Sequence, residues 1–312
     1  MRTLVTGGAG FIGSNLVDAL LARGHEVAIL DDFSTGKEEN VAQALVKGAT
    51  VHRADIRSAT EVDDAVAAAR PEAVFHLAAQ IDVRKSVADP AFDARTNIEG
   101  TINVLNAVRT AGARLVNVST GGAIYGEVDT IPTPESVEPR PEAAYGQSKY
   151  CAERYLRLFG RLYDMRTATV RLGNVYGPRQ DPLGEAGVVA IFCGKLERGE
   201  RPTVYGTGRQ TRDYVYVGDV VGALLAVLEH PEASEEYNVG TGRESSVLDI
   251  VDSLRPHAHA DFEPVFAEAR LGEMERSCLD VTRAREELGW SAEVELSDGL
   301  ERTLAWAKGA AG

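Results

Sequence analysis

The chain has 312 residues, 44% hydrophobic and 26% charged, with 33 basic against 47 acidic side chains for a formal charge of −14. That length and mixture suit one two-lobed globular enzyme with a substantial core. Such acidity excludes a surface that coats nucleic acid or anionic membrane, so an anionic substrate needs individual arginines to meet it.

No signal peptide and no apolar run of membrane-spanning length is read, and a cytoplasmic location is expected. Cys151, Cys193 and Cys278 are widely spaced and odd in number. They give no disulfide framework and no metal-ligand spacing, and are read as reduced and buried, with no metal expected.

In chain order, Thr3-Leu4-Val5-Thr6 reads as a strand and Phe11 to Ala22 as an amphipathic helix. Between them lies Gly7-Gly8-Ala9-Gly10, with Phe11, Ile12 and Gly13 opening the helix. Gly7 permits a tight turn, Gly10 a close approach to pyrophosphate, and Gly13 close helix–sheet packing. Val27-Ala28-Ile29-Leu30 is a second strand, ending in Asp31-Asp32. A carboxylate there accepts hydrogen bonds from adenosine ribose hydroxyls and repels a 2′-phosphate, so NAD is predicted over NADP.

Ala54-Asp55-Ile56-Arg57 ends the next strand, with Asp55 placed for the adenine amine. Ala73-Val74-Phe75-His76 follows and runs into Leu77, Ala78, Ala79 and Gln80, a stretch that lets a cofactor pass near the backbone. His76 is read as packed or capping rather than a ligand. Leu115-Val116-Asn117-Val118 leads to Ser119 and Thr120 and then a glycine loop, Gly121-Gly122-Ala123-Ile124-Tyr125-Gly126. Either hydroxyl can donate to a reacting oxygen. Continuous apolar strands alternating with helices indicate an α/β fold, a Rossmann-type doubly wound parallel sheet.

Tyr145-Gly146-Gln147-Ser148-Lys149 opens a helix, and its spacing puts Tyr145 and Lys149 on one face. A free tyrosine ionises near pH 10, too high for a base at neutral pH. A neighbouring ammonium and a cationic nicotinamide both favour phenolate, so Tyr145 is the expected base. Lys149 can also hold the nicotinamide ribose. Beyond about residue 171 the pattern is broken by Gly and Pro, apart from helical stretches at Gly218 to Leu228 and Glu301 to Ala307.

Together these residues resemble the extended short-chain dehydrogenase/reductase family, most of all its UDP-glucose 4-epimerase group. Further matching stretches are Asn97 on the helix after Gln80, Arg171 to Arg179, Gly206 to Tyr214, Tyr237 to Gly242, and Arg270-Leu271-Gly272-Glu273. The resemblance implies an NAD-binding domain over 1–171, with segments near 214–240 returning to it. Residues 172–312 would mainly form a smaller α/β UDP-sugar lobe. It places Asn97 in the cofactor site, and Asn174, Val188, Thr203, Val204, Tyr205 and Gln210 near the nucleotide. It gives the diphosphate to Arg212 and Arg270, the uridine ribose to Glu273, and the sugar's room to Ser277. A homodimer through the helices around Asn97 and Tyr150 is also implied.

One departure stands out. The family's usual Ser or Thr, four residues before the tyrosine of the Tyr125-Gly126 pair, is Gly121 here. The role then falls to Thr120, or to Ser119. Arg84 matches an arginine of UDP-glucuronate epimerases, which serves either a C6 carboxylate or the phosphates.

The expected reaction is inversion at C4 through a transient 4-keto sugar, for UDP-glucose/UDP-galactose, UDP-glucuronate/UDP-galacturonate, or both. A 4,6-dehydratase needs an Asp-Glu pair after the catalytic Thr, where this chain has Gly121-Gly122. A decarboxylase is disfavoured similarly. A silent NAD-binding sensor could dispense with Tyr145 and Lys149, yet both are present.

Overall fold

The apolar runs pair side by side, because strands buried on both faces need partners along both edges. The structure, a computed structural model, describes residues 1–182, 187–233, 235–258, 261–269 and 274–310. In it β1 (Arg2–Thr6), β2 (Glu26–Asp31), β3 (Thr50–Arg53), β4 (Ala73–His76), β5 (Arg114–Thr120) and β6 (Thr167–Leu172) share one seven-stranded sheet with Glu236–Val239. The order is β3-β2-β1-β4-β5-β6 and then Glu236–Val239, all parallel. The order reverses between β1 and β4, and such a sheet binds its ligand in the crevice above that reversal.

Alternate side chains of the strands face opposite layers. Val5 and Ile29 pack with Leu16 and Leu20 of α1 (Phe11–Ala22), Val41 of α2 (Glu38–Val46), and Val220 and Leu224 of a later helix, Val217–Glu229. Leu4 and Leu30 pack on the other side with Val62 of α3 (Ala59–Ala69).

Between β4 and β5 the chain forms α4 (Val83–Ala88), α5 (Pro90–Ala94), a π turn at Arg95–Glu99, and α6 (Gly100–Ala111). After β5 come the single turn α7 (Gly121–Ile124) and the long α8 (Ala144–Tyr163). Val104 of α6 and Leu156 of α8 join the second layer. Each fully buried branched side chain of these layers contributes about 1.5–3 kcal/mol.

A separate core lies in the second half. Phe192 and Leu196 from Val188–Glu197 meet Val204, Ile250, Leu254, Leu300 and Leu304. Glu236–Val239 returns from this half to pair with β6. The last helix runs from Leu296 to Ala310, longer than Glu301 to Ala307. The strand before Ala54 stops at Arg53. Of the three free cysteines Cys151 is only half-buried, because α8 turns that position toward the surface.

Candidate active site

The loop after β1 is shaped by close contact. Gly7 has φ 70°, and a Cβ there would stand 2.7 Å from the Ala78 nitrogen. On Gly13 it would stand 2.1 Å from the Gly7 oxygen. The ends of β1 and β4 therefore touch at Gly7 and Leu77-Ala78, above the reversal of strand order. Gly10 caps α1 without a side-chain bond, and the helix has no acid in its first turn. The N–H groups of Phe11 and Ile12 lie at this positive end, which suits a pyrophosphate.

Asp31, buried at the tip of β2, accepts from the Ala9 nitrogen at 2.8 Å and the Phe33 nitrogen at 2.9 Å. Burial pushes its carboxyl up and these two donors hold it back. A carboxylate has about four lone-pair positions, so acceptor capacity remains for ribose hydroxyls. Asp32 instead is exposed and ties down Ser34. Asp55 is engaged by the Arg57 guanidinium and backbone, which keeps its carboxyl below the usual range. Ile56 is buried against Gly100, so its side chain belongs to the core and only its backbone remains for a ligand. The loop and its acid fit a dinucleotide.

β4 and the π turn are clamped together by Asn97. Its Oδ1 accepts from the Gln80 nitrogen at 2.8 Å, and its Nδ2 donates to the Gln80 oxygen at 2.9 Å and Ser148 Oγ at 3.0 Å. Asn97 is thus spent on holding Gln80 and α8 rather than pointing freely into the cleft. His76 lies between Thr6 Oγ1 at 2.8 Å and Thr101 Oγ1 at 3.0 Å. Burial and the Lys149 ammonium push it down to about 3, a neutral packed histidine.

Tyr145 and Lys149 stand one turn apart on α8, with Thr120 opposite at the end of β5. The Tyr145 phenol faces the Thr120 side chain, which is within reach to act on its ionisation. Burial pushes the Tyr145 phenol up to about 12, and Thr120 pulls the other way. Burial also pushes Lys149 down to about 8, against Glu153 and Asp93, which favour its charge. Ser119 is buried and its Oγ has no partner among the described residues. Successive strand side chains face opposite ways, so only Thr120 reaches Tyr145. A Cβ on Gly121 would stand 2.5 Å from the Leu279 side chain, which fills the space a hydroxyl-bearing residue needs.

The second half brings further residues up. A Cβ on Gly122 would stand 3.2 Å from Asn174 Oδ1, so Asn174 lies beside the Thr120 loop. The Asn174 nitrogen donates to the Asp213 oxygen at 2.7 Å, and the Ser277 nitrogen to the Thr211 oxygen at 3.2 Å. Ser277 therefore lies beside the short strand Thr211–Arg212 that carries Arg212. Gln210 donates to the Tyr205 oxygen at 3.1 Å. Thr203 accepts from Lys195 at 2.9 Å and Val188 begins a helix. Val204 is fully buried in the second core, leaving only its backbone for a nucleotide. Arg84 is exposed on α4, whose Ser86 Oγ accepts from the Tyr145 nitrogen at 3.0 Å. Arg270 and Glu273 lie outside the described residues.

Sequence reasoning missed the buried network behind the pair. Glu153 holds Arg171 through two bonds, 2.7 and 3.1 Å, and Arg171 donates to the Tyr125 hydroxyl at 2.9 Å. Tyr125 in turn donates to Asn238 at 2.9 Å. It also missed Asp93, which is buried on α5. The available signal for Glu153 was its spacing, four residues past Lys149 on the same helix face. Among the described residues no His, Cys, Asp and Glu cluster can hold a metal ion, and no helix is long and apolar enough to cross a membrane.

The pattern of the NAD dependent epimerase/dehydratase family matches residues 3–240. A UDP-glucose 4-epimerase of Mycolicibacterium smegmatis is 46% identical, with 97% of each chain covered. The crystal structure of UDP-glucose 4-epimerase from Thermotoga maritima with UDP-glucose matches with a TM-score of 0.96 and 44% identity, covering 100% of both chains. That of the Thermus thermophilus UDP-glucose 4-epimerase complex with NAD matches at 0.92 and 43%, covering 99% of this chain and 100% of that one.

Proposed function

This chain belongs to the NAD dependent epimerase/dehydratase family, and from that premise we propose that it is an NAD-dependent UDP-hexose 4-epimerase working on UDP-glucose and UDP-galactose. The observation that carries the reading is Tyr145 facing Thr120, with Lys149 one turn on, beside a loop shaped for a dinucleotide. The close likeness to UDP-glucose 4-epimerases over the full chain supports the same reading.

Gly7, Gly10, Phe11, Ile12, Asp31 and the stretch Leu77 to Gln80 would hold the NAD, with Lys149 on the nicotinamide ribose. Bound there, NAD would supply the hydride acceptor and donor that inversion at the sugar's C4 requires. The protein's own part is proton handling. Tyr145 takes the proton of the 4-hydroxyl, Thr120 holds the reacting oxygen and the phenol in line, and the Lys149 ammonium favours phenolate. Arg212 and Arg270 would anchor the diphosphate, since guanidinium forks match its oxygens. That tether keeps the keto sugar in place while it turns over. Glu273, on the uridine ribose, and Ser277, beside the sugar, complete the proposed site.

Elimination of water across C5 and C6 needs an acid–base pair after Thr120, and Gly121-Gly122 supply neither group. A homodimer in the cytoplasm completes the proposal.

The test is a panel of UDP-sugars without added cofactor, products separated by chromatography. UDP-galactose should form from UDP-glucose, with no 4-keto-6-deoxy product. Stoichiometric NAD without turnover of any UDP-sugar would make the protein a sensor instead. Arg84, on the helix braced to Tyr145 through Ser86, favours UDP-glucuronate as an additional substrate. Arg84→Ala should then lose glucuronate turnover while keeping glucose turnover, and equal loss of both would return Arg84 to the phosphates.

A further inference from the structure

Asp93 is 1% exposed on α5, which packs against α8, and its partner Asn97 also donates to Ser148 Oγ, in the turn of α8 between Tyr145 and Lys149. Asp93 Oδ1 accepts from Gln80 Nε2 at 2.8 Å and Asn97 Nδ2 at 3.2 Å, both neutral amides. Its Oδ2 is buried with no hydrogen-bond partner among the described residues. A buried carboxylate is costly unless a cation shares its surroundings. The buried cation at hand is Lys149.

We propose that Asp93 is a positioning residue that ties the protonation of Tyr145 to that of Lys149. Its negative charge acts on both groups in one direction, opposing phenolate on Tyr145 and favouring ammonium on Lys149. Glu153 acts on Lys149 more strongly. That carboxylate is bound bidentate by Arg171 and, of the pair, acts on Lys149 alone, whereas Asp93 acts on Tyr145 as well. Asp93 is therefore the shared charge, and the amides of Gln80 and Asn97 aim it while leaving its charge uncompensated.

The other groups near Lys149 are accounted for. His76 from β4 is neutral, and Arg171 from β6 is committed to Glu153 and to Tyr125 beside α7. On the remaining elements against α8, Arg114 of β5 is buried and spent on the Val227 and Ala233 oxygens, Arg84 and Lys85 of α4, Arg95 and Glu99 of the π turn and Arg109 of α6 are exposed, and Asp82 is half-exposed. In the resting cleft Asp93 thus favours phenol with ammonium, and it sets the pH window in which the pair works.

The inference rests on reading Tyr145 and Lys149 as the proton-handling pair, so one of its two measurements needs no turnover. The holoenzyme is prepared as wild type, Asp93→Asn and the double variant Glu153→Gln/Arg171→Gln. The first measurement follows the 13Cε signal of Lys149 with pH, assigned through Lys149→Arg. In Asp93→Asn its midpoint should fall by about one pH unit, the scale of a lost neighbouring charge. The second is the pH profile of kcat. In Asp93→Asn both limbs should move to lower pH together, since removing a negative charge eases ionisation of Tyr145 and deprotonation of Lys149 alike. In the double variant only the limb set by Lys149 should move. If Asp93→Asn does not yield folded holoenzyme, Asp93→Ser removes the charge, keeps a hydroxyl acceptor and is read the same way. An unmoved Lys149 midpoint, or only one limb displaced, overturns the proposal. A wild type that turns over no UDP-sugar defeats the epimerase reading, and the Lys149 titration still decides this one.

Discussion

The choice between Ser119 and Thr120 was open in the sequence, because adjacent hydroxyls look alike until the strand's two faces are known. The structure aims Thr120 at Tyr145 and turns Ser119 into the core. Thr120→Val should therefore cost more turnover than Ser119→Ala, on the order of 10²-fold for a lost donor at the reacting oxygen. Steady-state kinetics of both variants check this, and the reverse order moves the role to Ser119. His76 carries a second expectation. An unfolded histidine binds a proton near pH 6.5, whereas the folded His76 refuses one until about 3. Its contribution to stability is thus complete above about pH 6.5 and is lost as the pH falls from there toward 3. His76→Gln should flatten the acid side of the stability profile by up to about 1.4 kcal/mol per pH unit. Denaturant unfolding at a series of pH values measures that slope. His76 was legible as packed because small residues follow it. Asp93 was not, since a lone acid in a one-turn helix carries no mark of burial.

Elements were legible where apolar periodicity is strong and less so where packing decides. The strand Ala73–His76 and the helix Phe11–Ala22 have the ends read from the sequence; Pro71-Glu72 precede the strand, and Gly10 and Arg23-Gly24 bound the helix. The π turn at Arg95–Glu99 has no composition of its own. One extra residue is accommodated there so that Asn97 can turn inward and clamp Gln80, a use typical of such bulges. The same tertiary demand explains the buried pair behind α8. Arg171 and Glu153 are 3% and 1% exposed, so breaking one half strands the other. Glu153→Gln should destabilise by about 3–5 kcal/mol, while Glu153→Gln/Arg171→Gln should cost much less. Chemical denaturation of the two variants checks this. Equal losses would mean that the network's remaining bonds, through Tyr125 and Asn238, dominate instead.

At the scale of the whole molecule, the parallel sheet was legible because its strands are continuously apolar, whereas most strands of the second half are only two or three residues long. Strands such as Thr203–Tyr205 and Thr211–Arg212 carry no periodicity and exist because distant segments pair with them, Val265–Ala267 with the first, and Ser245–Ser246 and the segment around Ser277 with the second. Exposed apolar groups point to the assembly. Among the described residues twelve large hydrophobics are exposed, and six of them, Ile81, Val83, Val87, Tyr155, Leu162 and Tyr163, lie on or beside α4 and α8. Tyr155 and Leu162 are seven residues apart, two turns on one face of α8. A two-fold contact presents the same patch twice, so each such side chain is buried in both copies. Tyr145 and Lys149 sit near the start of the same helix, so assembly would also stiffen the element that carries the proton chemistry. Sedimentation should therefore give a homodimer, and Tyr155→Glu/Leu162→Glu should yield monomers by forcing like charges together in an apolar contact. These variants leave the cofactor loop untouched, so NAD content should be retained while Tm falls. A wild-type chain that sediments as a monomer, or a double variant that still pairs, would place the interface elsewhere on the surface.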